Sequence, residues 1–435
     1  RDLVRSRGLG DVYKRQLMDI VLKSAHIIDE TSVYHNTVKD ILIVDGVIAK
    51  IEDTIVPPQF SKVVEKVWVS QGWTDSSVCF GEPGFEERET LENGMQTAQK
   101  SGFTNVLLNP LTHPVVDSQS AVVYIKEKTK HFAAQAHPIG ALTLESKGEF
   151  LAELFDMKKA GAVAFGDYKK PISNSNLLKI ALQYTQSFGG IVISFPNDTK
   201  IMGKGVVNEH IEGTRLGLKG IPALAEYLCV ARDLAILEYA GGKLHIPTIS
   251  TAQSVGLIAE AKAKGLDVTC SVAIGQIALT DEVLETFNTN YKMLPPLRDA
   301  QTVQILREAL NQGVIDFVTS DHNPLDIELK FKEFDLAAFG SIGLENVWGI
   351  LNQYVSVERA VKLLTAARMR FGIPAAPIAV GTLADLTLFT PEDEWIFEEK
   401  DIFSFSKNSA FIGAQMKGRV KGIIAQKQLI LNEKE

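Results

Sequence analysis

GWTDSSVCFGEPGFEERETLENG, residues 72–94, carries the passage from a strand into a helix on which the reading of the chain rests. The overlapping WVSQGWTDSS (68–77) has the texture of a strand, and ETLENGMQTAQKSG (89–102) has helical spacing closed by glycine, as a C-cap would be. The same alternation continues outward. Strand-like runs follow at TNVLLNP (104–110), AHPIGAL (136–142), GAVAFGD (161–167), GIVISFP (190–196), KLHIPTIS (243–250), DVTCSVA (267–273) and DFVTSD (316–321). Helical patterns such as SNLLKIALQYTQSF (175–188) and AQTVQILREALNQG (300–313) separate them. Eight strands with helices between them predict an α/β fold, a closed parallel (β/α)8 TIM-type barrel. A doubly wound open sheet is the alternative, but no glycine-rich phosphate fingerprint follows the first strand.

Short β signals fill both ends of the chain. DIVLKSAHII (19–28) and KDILIVDGVIAKIE (39–52), with an Asp45-Gly46 hairpin, are echoed near the C-terminus by ADLTLFTP (384–391) and RVKGIIAQKQLI (419–430). They predict a small β-sandwich domain assembled from residues 18–67 and 376–435, flanking a barrel over 68–375. The first seventeen residues, RDLVRSRGLGDVYKRQL, are strongly basic and lack the apolar core of a targeting peptide. They read as an adapter-derived segment, with the native start at Met18.

Composition narrows the function classes. Of 435 residues, 45% are hydrophobic and 23% charged, as in ordinary globular proteins. A formal charge of -8 argues against a dedicated nucleic-acid binder, whose phosphate contacts need clustered Lys and Arg. No apolar run approaches the length needed to span a bilayer. Three scattered cysteines, Cys79, Cys229 and Cys270, make no disulfide framework, and a cytoplasmic location is the simplest expectation.

Residues 72–94 resemble the signature Gly-x-x-Asp-x-His-x-His-x-Arg-Glu-Pro-Gly of the dihydroorotase family of the amidohydrolase superfamily. The likeness continues through NPLTHPVVD (109–117), LHIPTIST (244–251), NYKMLPPLR (290–298), TSDHNPL (319–325), GSIGLEN (340–346), GTLADLTLF (381–389) and FIGAQMKGRVKG (411–422). The resemblance implies a barrel whose C-terminal mouth hydrolyses the ring amide of dihydroorotate. There a zinc-bound hydroxide attacks, and an Asp ending the eighth strand moves the proton.

Set against that pattern, the chemistry is missing. The paired metal histidines of the first strand correspond to Ser77 and Cys79, and those ending the fifth and sixth strands to Ser194 and Thr248. Serine is a poor zinc ligand and one thiolate does not make a site, so no metal and no cofactor is expected. Asp321 matches the catalytic Asp, and Asp167 lies where members place a metal-bridging acid. Without a cation, neighbouring carboxylates repel. His245 lies three positions from Thr248, which on an extended strand turns it to the opposite face, under a helix; alternation also turns His322 away from Asp321. The substrate positions are altered too, with Gly81 for the carboxylate-binding Arg and Leu111, Leu294 and Leu325 at polar positions. Such losses leave an anionic substrate's polar groups unpaired.

The expected function is thus a dihydroorotase-like protein of pyrimidine biosynthesis without catalysis. Such relatives support the assembly of aspartate transcarbamoylase, which the resemblance makes the candidate partner; self-association is also expected. The alternatives are a repurposed amidohydrolase acting on another cyclic amide through Asp321, Asp167 and Cys79, a leucine-lined small-molecule pocket at the barrel mouth, and a zinc-dependent dihydroorotase with other ligands.

Overall fold

The computed structural model describes residues 19–432, so the adapter-like segment lies outside the described residues. Strands β1 (Ile20–Ile28), β2 (Thr37–Val44), β3 (Val47–Glu52), β4 (Lys62–Glu65) and β5 (Trp68–Gln71) begin the chain. They join β16 (Leu386–Ile396), β17 (Gln415–Ala425) and β18 (Gln428–Leu431) in one sheet built from both ends. Asp45 and Gly46, both at positive φ, make the tight β2–β3 turn. The sheet curls until Ile48 N–H donates to Thr382 C=O at 2.9 Å and Ala384 N–H to Gly46 C=O at 2.8 Å. It thereby encloses its own apolar core, including Leu22, Ile27, Ile43, Val69 and Leu388.

Between these ends runs the barrel: β6 (Trp73–Val78), β7 (Phe103–Leu108), β8 (Gln135–Gly140), β9 (Ala164–Phe165), β10 (Val192–Ile193), β13 (Leu244–Ile246), β14 (Val268–Ala273) and β15 (Phe317–Thr319), paired in that order and all parallel. The small parallel pair β11 (Val207–Asn208) and β12 (Gly220–Ile221) sits in the excursion after β10. Each expected barrel strand is present, though the run at 68–77 is split. Residues 68–71 pair with β1 and β16 in the end sheet, and the barrel starts one residue after Gly72. A Cβ at Gly72 would lie 2.0 Å from Thr104 Oγ1 and 2.2 Å from Asp385 Oδ1, so only glycine lets the chain cross between the two sheets here.

The barrel closes between β6 and β15. Val78 bridges to His322, and Cys79 N–H donates to His322 C=O at 2.8 Å. Asp75, fully buried, bolts this seam: its carboxylate accepts from Ser77 N–H (3.0 Å), Ser320 N–H (2.8 Å) and Thr319 Oγ1. At the opposite end Leu107, Ile139, Ile191 and Phe317 pack against Ala367, Phe371 and Ile373 as a floor.

His245 belongs to this interior, which corrects the expectation that it packs under a helix. Its ring stacks on Phe317 (centroids 5.0 Å apart), and its nitrogens lie 3.1 Å from Thr269 Oγ1 and 3.3 Å from Ser271 Oγ. The parity argument fails because β13 ends at Ile246 and Thr248 takes φ +47°, which breaks the extended alternation. Burial pushes the His245 ring down to about 3, so it is neutral.

Replacing Asp75 by Asn puts an NH2 group opposite donors that now have an acceptor. The expected cost is about 1–3 kcal/mol of stability, read from the urea unfolding midpoint; an unchanged midpoint would refute the bolt.

Candidate functional site

The ends of β6, β9 and β15 bring Ser77, Tyr168, Lys169 and Asp321 together at the C-terminal mouth, where barrels of this kind place their chemistry. Lys169, Thr248 and Asp321 all have φ near +50° (53°, 47° and 50°). The left-handed region is uncommon for residues other than glycine. Such strain concentrates at functional sites.

Asp321 is fully engaged. Its Oδ1 accepts from Ser77 Oγ at 3.1 Å and Tyr168 OH at 3.2 Å, and its Oδ2 pairs with Lys169 Nζ at 2.6 Å. The Lys169 and Asp321 side chains are only 12% and 11% exposed, so water screens this pair weakly. All three donors are side chains. The repulsion expected between unshielded carboxylates does not arise at Asp321, because an ammonium stands beside it. Burial, reinforced by the Asp321 charge, pushes the Tyr168 phenol well above its ordinary value and keeps it a donor.

The remaining polar groups are committed elsewhere. Asn109 Nδ2 donates to Ser77 Oγ at 3.1 Å and approaches Cys79 Sγ at 3.7 Å. Burial and the nearby Asp321 push the Cys79 thiol up to about 12. Asp167 ties down the loop after β8, accepting from Leu142 N–H (2.9 Å) and Thr143 N–H (3.1 Å). Ser194 departs from the expected grouping: its Oγ donates outward to Asp233 Oδ2 at 2.6 Å on the helix Leu224–Ala240. Its neighbours Ile193 and Phe195 line the mouth instead, along with Thr248. His322 turns away from Asp321, its Nδ1 accepting from Gly343 N–H at 3.2 Å.

The positions that the resemblance assigns to substrate are apolar or backbone-crowded. A Cβ on Gly81 would lie 1.9 Å from Phe85 O, so this backbone has no room for an arginine. Leu294 joins Phe195, Ile221 and Ala225 in an apolar cluster. Leu325 is buried, and its N–H donates to Asn408 Oδ1 at 3.2 Å; Leu111 is partly buried on the loop after β7. A cavity lined by Ser77, Asn109, Asp167, Lys169 and Thr248 has a volume of about 20 Å³. That is room for a single water, far below the few hundred Å³ of a small-molecule site.

Zinc needs at least three protein donors. Among the described residues no three His, Cys, Asp or Glu are grouped to hold a metal ion. Lys169 Nζ stands against Asp321, the one family acid facing the others, so the residues present do not fit zinc. Sequence reasoning missed Lys169, Tyr168, Asn109 and Asp75. The available signal was the Lys169-Lys170 doublet directly after the fourth barrel strand, on the face where site residues gather.

Comparison with known proteins agrees with the fold. Residues 66–254 match the family model described as dihydro-orotase-like. The chain is 36% identical over 422 residues to the dihydroorotase of Citrifermentans bemidjiense, covering 95% of this chain and 99% of that one. It is 38% identical over 426 residues to the dihydroorotase of Pelotomaculum thermopropionicum, covering 96% and 99%. In structure it is similar to the L-hydantoinase (dihydropyrimidinase) of Arthrobacter aurescens, with a TM-score of 0.83 at 22% identity over 96% of this chain and 97% of that one.

Two outcomes are expected. Lys169→Ala strands the Asp321 carboxylate and should destabilise the protein by about 3 kcal/mol in chemical denaturation. A gain in stability, common when catalytic groups are removed, would contradict the pairing. Second, all three cysteines are buried, with thiols pushed by burial to about 12, 11 and 12 for Cys79, Cys229 and Cys270. A thiol reagent at pH 8 should therefore modify them only after unfolding, and rapid native labelling of Cys79 would argue against an inert thiol.

Proposed function

The chain belongs to the dihydroorotase family, and we propose that it is a non-catalytic member, retained in pyrimidine biosynthesis as a subunit. The observation that carries this reading is the weakly exposed Lys169–Asp321 ion pair, whose lysine lines a cavity of about 20 Å³. Amide hydrolysis needs an activated water and a free base for its proton. Here three donors already sit on the two Asp321 oxygens. An anionic substrate needs a charge-assisted partner, and the Gly81 backbone has no space for one.

A subunit role accounts for what is kept. The described barrel and end sheet are complete, and no described helix is long and apolar enough to cross a membrane. The loop after β15 presents Ile327, Phe331 and Leu336 at 74%, 88% and 70% exposure. Large apolar side chains exposed together are a common mark of a protein–protein contact. Aspartate transcarbamoylase is the proposed partner, with self-association as a further use of such surface. A second reading, a zinc-dependent dihydroorotase with other ligands, is favoured by full-length identity of 36–38% to proteins named dihydroorotase.

Purified protein supplemented with zinc is assayed for dihydroorotate hydrolysis, with bound metal quantified, then mixed with aspartate transcarbamoylase for size-exclusion chromatography. The proposal expects substoichiometric zinc, no turnover, and co-elution that Phe331→Asp weakens. Stoichiometric zinc with turnover would establish the second reading instead.

A further inference from the structure

A cleft of about 1280 Å³ lies away from the mouth, between the end sheet and the barrel. Its walls carry six cations (Lys62, Lys100, Lys400, Arg419, Lys421 and Lys427) against three acids, Glu345, Asp393 and Asp401. This balance of +3 stands out in a chain of formal charge -8. The acids are occupied. Asp393 accepts from Thr390 Oγ1 at 2.7 Å and Lys421 Nζ at 3.1 Å, Asp401 from Glu398 N–H at 3.0 Å, and Glu345 Oε1 from Ser404 Oγ at 2.7 Å.

Two of the cations have no hydrogen-bond acceptor among the described residues. Arg419 lies over the Trp395 ring, 3.9 Å from its centroid, and Lys100 over the Phe403 ring at 4.8 Å. The backbones that carry them are stitched together, because Asn432 Nδ2 donates to both Lys100 C=O (2.6 Å) and Val420 C=O (3.2 Å). The same cleft holds two buried acceptors with no donor, Glu345 Oε2 and Asn432 Oδ1.

An occupant that answers these features carries negative charge for Arg419 and Lys100, a flat face for the aromatic wall, and N–H groups for the two orphaned acceptors. Inorganic phosphate supplies only the first, and an acidic peptide lacks the flat ring bearing N–H donors. We propose that this cleft binds a nucleotide, its phosphates held by Arg419 and Lys100 and its base directed toward Glu345 and Asn432. The site is separate from the barrel mouth, so it stands or falls independently of whether the mouth hydrolyses anything.

The test is calorimetric titration of the full chain with ATP, GTP, CTP and UTP in turn, alongside inorganic triphosphate and hexaglutamate. At least one nucleotide should bind more tightly than triphosphate. Arg419→Gln and Lys100→Gln should each weaken it about tenfold, the loss expected for a charge-assisted hydrogen bond. Unchanged unliganded melting temperatures would show that both variants fold. No nucleotide binding at millimolar concentration would overturn the proposal, as would affinity equal to that of triphosphate or indifferent to both substitutions. Binding of hexaglutamate in place of nucleotides would overturn it in favour of an acidic peptide.

Discussion

A closed barrel needs its last strand to find its first, and here one buried carboxylate governs that meeting. Asp75 on β6 accepts from Ser77 N–H on its own strand and from Thr319 and Ser320 at the end of β15. Burial pushes its carboxyl up, and the three donors work against that shift. Everything at the mouth hangs from this seam. Ser77 is two residues along from Asp75, and Asp321 follows the bonded Thr319–Ser320 pair, so the bolt sets the position from which both side chains reach each other.

The fold is that of the family, and the barrel mouth holds an ion pair. In the family pattern the acid ending the eighth strand works beside a metal; here its charge is met by an ammonium and two hydroxyls. The backbone at Lys169, Thr248 and Asp321 is held in the left-handed region, strain of the kind that gathers at functional sites. Buried ion pairs contribute little over apolar packing but are costly to break, which resists reversal by a single substitution.

Much of this was legible in the sequence, for physical reasons. Parallel strands covered on both faces read as continuous apolar runs, and all eight barrel strands overlap the runs expected for them, five lying wholly inside and three overrunning by one residue. The fine placement was not legible wherever the chain leaves regular geometry. Counting alternation from Thr248 put His245 on the wrong face because the strand had already ended. Ser194 was grouped with the mouth, although Asp233 on a neighbouring helix draws its hydroxyl outward. Lys169 escaped notice because a lysine after a strand ordinarily points to solvent. Only its partner across the barrel, 152 residues away in sequence, makes it a site residue.

The most direct measurement is a crystal structure of the protein grown with zinc, with anomalous diffraction recorded at the zinc edge. The account predicts no peak at the barrel mouth and Lys169 Nζ within hydrogen-bond distance of Asp321. A zinc peak coordinated by Asp321, with Lys169 displaced into solvent, would contradict it.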